Sequence, residues 1–476
     1  MVNPSKYDET GLREKYRFAT IPPSGLVLLA NRVKKLGNIA VKIVDEWIED
    51  IPFEQHFDLV GITTLFSATF PRVVAISEKF RARGIPVVLG GTHATCAPSE
   101  AASVADSVVI GEGEGLFEQV IGDLQSGSGI KPLYKRNGFL DLGREQCADP
   151  DYSCLDLAKY LKVGLRHKSN IFPLQTSRGC PMGCGFCSVH ITGGRRTRYR
   201  PVENVVKDIL FLKNTYRASY FGLYDDNLIA DAARFDDLMR EMKKLDIRFW
   251  CQISSTILRN PAMIEKLAEA GCASALVGVE SINQRSLDEV SKTFNQVAAY
   301  RELFSSLRRH KVTAMASMIF GFDHDSLEVF ADSVNFLNSC GVPRALFNIL
   351  VPFPGTPLHE SMTAQGRIEE TNLCLYDVAH AVFRPNLMTR RQLEEGFWRA
   401  YRDFYKMRRV ARRVIHPRNR NRFYILFGSL TFRRQIRKRT FPYNSGYSRI
   451  DPDEGSSRTR GSAPSLEEDS SWLPRP

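Results

Sequence analysis

The chain has 476 residues, of which 43% are hydrophobic, so it is long enough for two or three domains with buried cores. No apolar run approaches the eighteen or so residues that a membrane-spanning helix needs, and the N-terminus lacks the basic-then-apolar order of a signal peptide. Ten cysteines in such a chain favour a reducing compartment and metal binding over disulfides. We therefore expect a cytoplasmic protein.

The first region, residues 1–130, alternates apolar runs with an amphipathic pattern. The runs at 39–45, 57–64, 86–91 and 107–111 predict buried parallel strands, and 71–84 predicts a helix. This alternation is typical of a doubly wound α/β domain, which binds ligands at the carboxyl ends of its strands. The residues at those ends are Thr63, Thr64, Gly90, Gly91, Thr92, His93, Gly111, Glu112 and Gly113.

A second alternation follows an irregular linker at 131–169. It occupies residues 170–360 and contains six strand–helix units, which predict an open (β/α)6 barrel because parallel strands need helical crossovers. Chemistry in α/β barrels lies on the loops that follow the strands. The predicted strands are 171–177, 218–225, 248–254, 274–281, 312–320 and 344–351.

The loop after the first of these strands reads SRGCPMGCGFC and contains Cys180, Cys184 and Cys187. Its glycines allow the tight curl that three converging thiolates need. Iron–sulfur clusters are held by cysteine thiolates, usually four, so three leave one iron open to another ligand. A structural zinc site would need a fourth close ligand, and a disulfide would leave an odd thiol, so the cluster is favoured.

Polar side chains also follow other strands of the predicted barrel. They lie in GLYDDN at 222–227, GVES at 278–281, MIFGFD at 318–323 and FPGTPL at 353–358. Carboxylates and hydroxyls at a barrel mouth suit a ligand that carries an ammonium group and a ribose. Each stretch alone is equally typical of a helix cap or a turn, but their shared position favours a site.

The chain beyond residue 360 is predicted to be helical and basic over 361–443 and disordered over 444–476. Residues 401–440 hold fourteen Lys or Arg and one acid, so the net charge of +12 is local to this segment. Arginines bracket an apolar decamer at 423–432, a pattern that favours peripheral contact with an anionic membrane. The alternative is a solvated helix packed on the barrel.

The cysteine spacing and these stretches resemble radical S-adenosylmethionine (SAM) enzymes of the cobalamin-binding subgroup, over roughly residues 1–360. The resemblance implies a 4Fe–4S cluster on the three cysteines, with SAM on the open iron and Phe186 as the aromatic residue before the last cysteine. It places Asp225, Asp226, Glu280 and Ser281 in the SAM pocket and Gly321 near the adenine. VVLGGTHATCAP (87–98) and ADSVVIGEGE (105–114) resemble the cobalamin-binding domain, so the corrin is expected on Gly90 to His93 and Gly111 to Glu112.

Two departures from the family pattern follow from the sequence. The chain begins at MVNP, where family members normally carry an apolar first strand before the Asn-Pro, so either the first strand is missing, which would expose a sheet edge, or the start is misplaced. The sequence also lacks the Asp-x-His-x-x-Gly signature with which many cobalamin proteins ligate cobalt, as the subgroup often does. His93 is more typical of a hydrogen-bonding pocket wall than of a cobalt ligand.

The resemblance implies an enzyme that methylates an unactivated carbon of a small-molecule or lipid-like substrate and receives electrons from a flavodoxin or ferredoxin. One alternative is a cyclase or oxidoreductase of the same subgroup, without methyl transfer. Another is a non-catalytic corrin- or cluster-binding sensor with a basic nucleic-acid contact, which intact ligand spacing disfavours. Methylthiolation of tRNA is disfavoured because the N-terminal domain offers only Cys96 where that group carries further cluster cysteines.

Overall fold

The computed structural model describes residues 1–16, 21–144, 149–163, 169–415 and 422–439. The tail predicted to be disordered, residues 444–476, lies outside the described residues. No helix in the described part of the chain is long and apolar enough to cross a membrane.

The N-terminal region forms a six-stranded, all-parallel sheet with strand order β2-β1-β3-β4-β5-β6. Its apolar runs give buried strands, and helices cover both faces of the sheet. The elements are β1 Val2–Asn3, α1 Ser24–Lys34, β2 Val44–Asp45, β3 Val60–Thr63, α2 Phe70–Arg81, β4 Val87–Gly90, α3 Thr92–Cys96, α4 Pro98–Val104, β5 Ser107–Ile110, α5 Leu116–Gln125 and β6 Leu133–Lys135.

The predicted loss of the first strand is wrong. Val2 pairs with Val44 on one side and with Ile62 on the other, so β1 lies inside the sheet and not beyond an open edge. The strand is only two residues long, too short to give an apolar run. Strand β6 was also not predicted; it lies in the irregular stretch and adds an edge strand beside β5.

The second region contains the parallel strands of the partial barrel in the order β8-β11-β12-β13-β14-β15, with β7 antiparallel at the β8 edge and β9 paired with β10 as a ribbon. This confirms the predicted half-barrel. Its elements are β7 Lys162–Val163, β8 Ser169–Leu174, β9 Ser177–Arg178, α6 Val189–Thr192, β10 Arg198–Tyr199, α7 Val202–Tyr216, β11 Tyr220–Leu223, α8 Ala232–Lys243, β12 Arg248–Ile253, α9 Ala262–Glu269, β13 Cys272–Glu280, α10 Gln284–Glu289, α11 Tyr300–Arg309, β14 Thr313–Phe320, α12 Val329–Ser339, β15 Arg344–Ile349 and α13 Pro357–Ala364.

The C-terminal region is helical, as predicted, with α14 Arg390–Phe404, α15 Met407–Ile415 and α16 Arg422–Arg437. Helix α14 covers the last barrel strand through two tyrosines. The Tyr401 hydroxyl accepts a hydrogen bond from the Phe347 N–H (3.0 Å) and donates one to the Phe347 carbonyl (2.9 Å). The hydroxyl of Tyr405 does the same at Ala345. The two tyrosine hydroxyls thus satisfy backbone N–H and carbonyl groups of the edge strand β15, which would otherwise be open to pairing with another strand.

Candidate active site

The cysteine loop is held in place by its backbone. Gly179 has a φ of +87°, and a Cβ there would lie 2.5 Å from the Arg196 carbonyl oxygen and 2.6 Å from that of Gly193. Only glycine fits both the conformation and the space. Beyond it, the Gly185 N–H donates to the Val290 carbonyl at 2.9 Å. Backbone contacts within the protein therefore set the shape of this loop.

The three cysteines share one environment. Cys184 is buried and the other two are half-buried, and all three are free thiols. Burial raises the pKa of each thiol, and burial together with the neighbouring Cys184 and Cys180 raises the pKa of Cys187 to about 12. Each thiolate is thus opposed by burial and by its neighbours, whereas a bound metal centre stabilises thiolates.

The donor chemistry of this loop fits an iron–sulfur cluster. Among the described residues, no three His, Cys, Asp or Glu side chains are grouped closely enough to hold a single metal ion. A four-iron cluster does not need such a group, because each cysteine ligates a different iron. Three mutually interacting thiols on a preformed, glycine-rich loop are the donor set that such a cluster requires.

Asp225 and Asp226, at the end of β11, both bind the cysteine loop. Asp225 Oδ1 accepts hydrogen bonds from the Thr176 N–H (2.9 Å) and from the Ser177 hydroxyl (2.7 Å). Burial raises the pKa of Asp225 to about 6, although these hydrogen bonds act in the opposite direction. Asp226 Oδ2 accepts from the Gly179 N–H at 2.7 Å, yet the residue is exposed. Asp226 can therefore still face a ligand, while Asp225 chiefly orients the loop.

Glu280 ends β13 in a strained conformation, with a φ of +63°. Its carboxylate lies 2.9 Å from the ammonium group of Lys292 and accepts a hydrogen bond from the Ser317 hydroxyl at 3.3 Å. Burial would lower the pKa of Lys292, but Glu280 raises it above its usual value. Ser281 is buried, and its hydroxyl accepts from the Asn283 N–H, so it stabilises the turn.

Lys292 links this carboxylate to the cysteine loop. Its Nζ atom lies 5.8 Å from the centre of the Phe186 ring, and its charge lowers the pKa of Cys184. A buried cation that faces both Glu280 and the thiols offsets negative charge at the loop. No sequence pattern marks this role, because Lys292 lies in an ordinary polar stretch that follows a short helix.

Gly321 and the FPGTPL stretch follow the last two barrel strands. Gly321 has a φ of +107°, and a Cβ there would lie 3.0 Å from Leu393 of α14, so its position near an adenine stays a prediction. In the FPGTPL stretch, the Leu358 N–H donates to the Gly185 carbonyl at 3.0 Å. A Cβ on Gly355 would lie 2.9 Å from the carbonyl oxygen of Cys96 in α3. This stretch therefore contacts both the cysteine loop and the N-terminal domain.

The strand ends of the N-terminal sheet form a shelf of small residues. The Thr64 hydroxyl donates to the Gly90 carbonyl (2.9 Å) and accepts from the Ala94 N–H (2.9 Å). At Gly91, with a φ of +105°, a Cβ would lie about 3 Å from Thr64 N and Thr63 Oγ1. Gly111 leaves open space where its Cβ would be. The shelf continues along the chain to Thr92, which begins α3, and to Gly113, which packs against Leu29.

His93 lies beside this shelf. It is buried against Phe70, with Nδ1 3.0 Å from the Ser67 hydroxyl and Nε2 3.3 Å from the Glu100 carboxylate. Nδ1 therefore has a hydrogen-bond partner, whereas Nε2 makes no hydrogen bond within the described part of the chain. The expectation that His93 is more typical of a pocket wall than of a cobalt ligand stays a prediction.

Glu112 and Glu114 tie the N-terminal domain to the cysteine loop. Arg178, two residues before Cys180, donates one guanidinium arm to Glu112 (2.9 Å) and the other to Glu114 (2.5 Å). Arg198 also pairs with Glu112 at 3.0 Å, and all these side chains are largely buried. The Glu112 carboxylate is thus paired with two arginines, and its predicted role toward a corrin stays a prediction.

Comparison with known proteins places two domains on this architecture. The B12 binding domain family matches residues 18–121, and the Radical SAM superfamily matches residues 174–337, together more than half of the chain. The chain belongs to the cobalamin-binding radical SAM enzymes. Its cofactors are accordingly a 4Fe–4S cluster, SAM and cobalamin.

Named relatives of this radical SAM enzyme cover most of its length. It is 28% identical over 396 residues to a bacteriochlorophyllide d C-12(1)-methyltransferase of Chlorobaculum tepidum, which covers 82% of this chain and 84% of the relative. It is 24% identical to the anaerobic magnesium-protoporphyrin IX monomethyl ester cyclase of Cereibacter sphaeroides, over 81% of this chain and 67% of the cyclase. The fold resembles that of the radical SAM methyltransferase TsrM from Kitasatospora setae, with a TM-score of 0.59, 18% identity and coverage of 76% and 74% of the two chains.

Sequence reasoning missed apolar residues at the cobalamin domain of this radical SAM enzyme. Leu65 and Phe66 follow β3 and are each 50% exposed, at the same sheet edge as the glycine shelf. Exposed apolar side chains beside open glycines fit a large, flat, partly apolar cofactor. Two bulky apolar residues directly after a strand end were the signal that could have found them.

Proposed function

We propose that this enzyme transfers a methyl group from SAM, by way of bound cobalamin, to an unactivated carbon of a small-molecule or lipid-like substrate. Its likeness to the bacteriochlorophyllide methyltransferase, over more than four-fifths of both chains, supports methyl transfer. That relative acts on a large, flat tetrapyrrole, so we include tetrapyrroles among the candidate substrates. When bound, the cofactors supply hydrogen removal from carbon and delivery of the methyl group.

One observation carries the proposal: the cobalamin domain and the cysteine loop are joined directly by Arg178 and indirectly by the FPGTPL stretch. Arg178 pairs with Glu112 and Glu114. In the FPGTPL stretch, Gly355 packs on Cys96 of the cobalamin domain, and Leu358 donates to Gly185 of the loop. The strand ends of one domain are thus fixed next to the loop that holds the cluster in the other. Two cofactor sites fixed side by side can act on one bound substrate, which makes the second step effectively unimolecular.

The residues then have distinct tasks. Cys180, Cys184 and Cys187 hold the cluster, with Phe186 beside them. Asp226 and Glu280 face SAM at the barrel mouth, and Asp225 and Ser281 fix the two strand ends from which they project. The shelf from Gly90 to Thr92 and at Gly111, with Leu65 and Phe66, supports the corrin.

A cyclase or oxidoreductase is the second candidate function. The magnesium-protoporphyrin cyclase relative supports it, although its identity is lower and the match covers less of that protein. A non-catalytic sensor is disfavoured, because the preformed cysteine loop and its ties to the cobalamin domain serve no purpose in a protein that only binds one cofactor.

The proposal includes two partners. A flavodoxin or ferredoxin supplies electrons to the cluster and to cobalamin, because neither SAM nor a C–H bond can supply them. The protein contacts the surface of a membrane through residues 401–440, a segment whose sequence contains fourteen Lys or Arg residues and one acidic residue.

The test is product analysis with anaerobically reconstituted enzyme, methyl-labelled SAM and candidate tetrapyrroles, lipids and peptides. Methyl transfer consumes one SAM to give 5′-deoxyadenosine and methionine and a second to give S-adenosylhomocysteine, while C–H becomes C–CH3. With the true substrate, the two adenosyl coproducts should accumulate in comparable amounts, and label should appear on carbon. If 5′-deoxyadenosine forms with product while S-adenosylhomocysteine stays at background, the cyclase or oxidoreductase function replaces methyl transfer.

The Cys184→Ala variant is the matched control for this assay. It should lose cluster iron and all SAM cleavage, because one of three thiolate ligands is gone. Unchanged iron content in this variant would contradict the assignment of the cysteine loop.

A further inference from the structure

Helix α16 carries apolar side chains on the face that points away from the protein. Phe423, Phe427 and Leu430 are 73%, 49% and 45% exposed. Their spacing of four and three residues puts them on one side of the helix. The rings of Phe423 and Phe427 stack in parallel, with centres 6.2 Å apart. These three residues, called here the outer stripe, form a continuous apolar surface.

The opposite face of α16 packs on the protein. Ile425, Phe432 and Ile436 are buried, and the Phe432 ring lies 5.3 Å from that of Tyr405. The guanidinium of Arg344 lies over Phe432 at 4.8 Å. The outer stripe, in contrast, leaves about half or more of each side chain exposed. Contiguous exposed apolar side chains rimmed by polar ones mark interaction surfaces.

Exposed cations follow the outer stripe toward the C-terminus. Arg434 lies one turn and Arg437 two turns beyond Leu430 on the same side of α16, and Lys438 comes directly after the helix; all three are exposed. Helix α15 adds further exposed cations at Arg408 and Arg412, next to its own exposed ends, Met407 and Ile415.

The acids do not offset this charge. Asp403 is the only acid in residues 401–440, and its carboxylate is already paired with Lys406 at 2.6 Å. By contrast, Arg413 is buried over the Phe404 ring and donates to the Phe404 carbonyl, so it belongs to the packing and not to the surface. Within α15 and α16, the exposed charged side chains are thus all cationic, and they lie on the same helices as exposed apolar side chains.

We propose that this face docks on the surface of an anionic lipid bilayer, with the outer stripe among the acyl chains and the arginines at the headgroups. Apolar side chains beside Lys and Arg are the pattern of helices that lie in the membrane interface. Neither helix is long and apolar enough to span a bilayer, so the contact is peripheral. A nucleic acid would match the cations but offer no apolar layer for Leu430, Met407 and Ile415. The docking is independent of methyl transfer.

The experiment is co-sedimentation of the full-length, reconstituted enzyme with vesicles of phosphatidylcholine alone or mixed with phosphatidylglycerol, at low and high salt. Binding is expected only to the mixed vesicles and should fall as salt rises. Each cation removed, as in Arg434→Gln or Arg437→Gln, should weaken partitioning about fivefold at low salt. Phe423→Ser with Phe427→Ser should weaken it roughly tenfold or more, because two aromatic side chains no longer enter the bilayer.

Matched controls separate this face from the rest of the surface. Leu210→Ser on α7 removes an exposed apolar residue of similar exposure, and Arg240→Gln on α8 removes an exposed cation. Neither should change vesicle binding. SAM cleavage in solution should be the same in all these variants and in the wild type, because none of the altered residues lies at the cofactor sites. A failure of methyl transfer would therefore be distinguishable from a failure of docking.

Three results would overturn the proposal. Equal binding to neutral and anionic vesicles would remove the role of the cations, and unchanged binding of the double Phe variant would remove that of the outer stripe. Absence of vesicle binding, with a wild-type dimer that the double Phe variant converts to monomer, would assign the face to a second copy of the chain. Absence of vesicle binding with salt-sensitive binding to DNA would assign it to nucleic acid.

Discussion

Arg178 should contribute more to stability than any exposed ion pair of the protein, because it neutralises two buried carboxylates at once. Its side chain is 14% exposed, and those of Glu112 and Glu114 are 7% and 5% exposed. In Arg178→Met, Glu112 keeps Arg198 and the Leu140 N–H, but Glu114 loses its ion pair with Arg178. Removing one partner of a buried ion pair typically costs about 3–5 kcal/mol, because a charge is left uncompensated.

The assay is chemical unfolding of the apo protein, with cobalamin binding measured in parallel. Arg178→Met should lower the free energy of unfolding by about 3–5 kcal/mol and weaken cobalamin binding, because the Gly111–Gly113 loop loses its anchor. Adding Glu114→Gln to this variant should restore at least about 1 kcal/mol, because the unpaired charge is gone. Arg240→Met, at an exposed pair with Asp237, is the control and should cost no more than about 1 kcal/mol. A loss in Arg178→Met no larger than in this control, or no rescue by Glu114→Gln, would refute the reasoning.

Two further predictions use other parts of the chain. Gly179→Ala should abolish cluster assembly, measured as iron content, because its Cβ would meet two carbonyl oxygens within 2.6 Å. Gly183→Ala is the control in the same loop and should keep its iron, because no atom lies within 4 Å of its Cβ position. An equal loss of iron in both variants would contradict this account. The imidazole of His380 lies 2.9 Å from the carboxylate of Asp377, which also pairs with Lys6. Burial opposes the charged imidazole, but Asp377 raises the pKa of His380 to about 9. Because that folded pKa lies above the unfolded value near 6.5, the stabilisation, at most about 3 kcal/mol, is complete below pH 6.5 and is lost as the pH rises to about 9. Thermal unfolding of wild type and His380→Gln should therefore differ most below pH 6.5 and converge above pH 9; a constant difference would show that charge is not involved.

Much of the fold could be predicted because its strands are buried on both sides. The run at 312–320 predicted a strand that the structure places at Thr313–Phe320, since a largely apolar stretch between two helical patterns has few other solutions. The run at 39–45 predicted β2, which the structure confines to Val44–Asp45. The same reasoning failed at β1, which has two residues. A pair of residues carries no periodicity, and this strand is recognised only by its pairing with β2 and β3.

The three cysteines of the candidate site could be predicted from their spacing, but the residues that orient them could not. Lys292 reaches Glu280 from twelve residues away, and Arg178 reaches Glu112 across 66 residues. Such pairings depend on how two domains pack, and nothing in a single sequence marks which of its many charges will be buried together. A local sequence motif thus identifies the three cysteine ligands, whereas contacts between residues far apart in the sequence set the orientation of these cysteines.

The stretch GEGEG at 111–115 combines a local motif with long-range contacts. Its first glycine, Gly111, leaves open space at the sheet edge and has a φ of +84°. Its two acids point the other way and hold Arg178 beside the cysteine loop. One short segment thus presents backbone to the corrin site and side chains to the cluster site. Any shift of this segment must move both sites together, so a substitution at Glu112 or Glu114 should affect cobalamin binding and cluster assembly in parallel and not one alone.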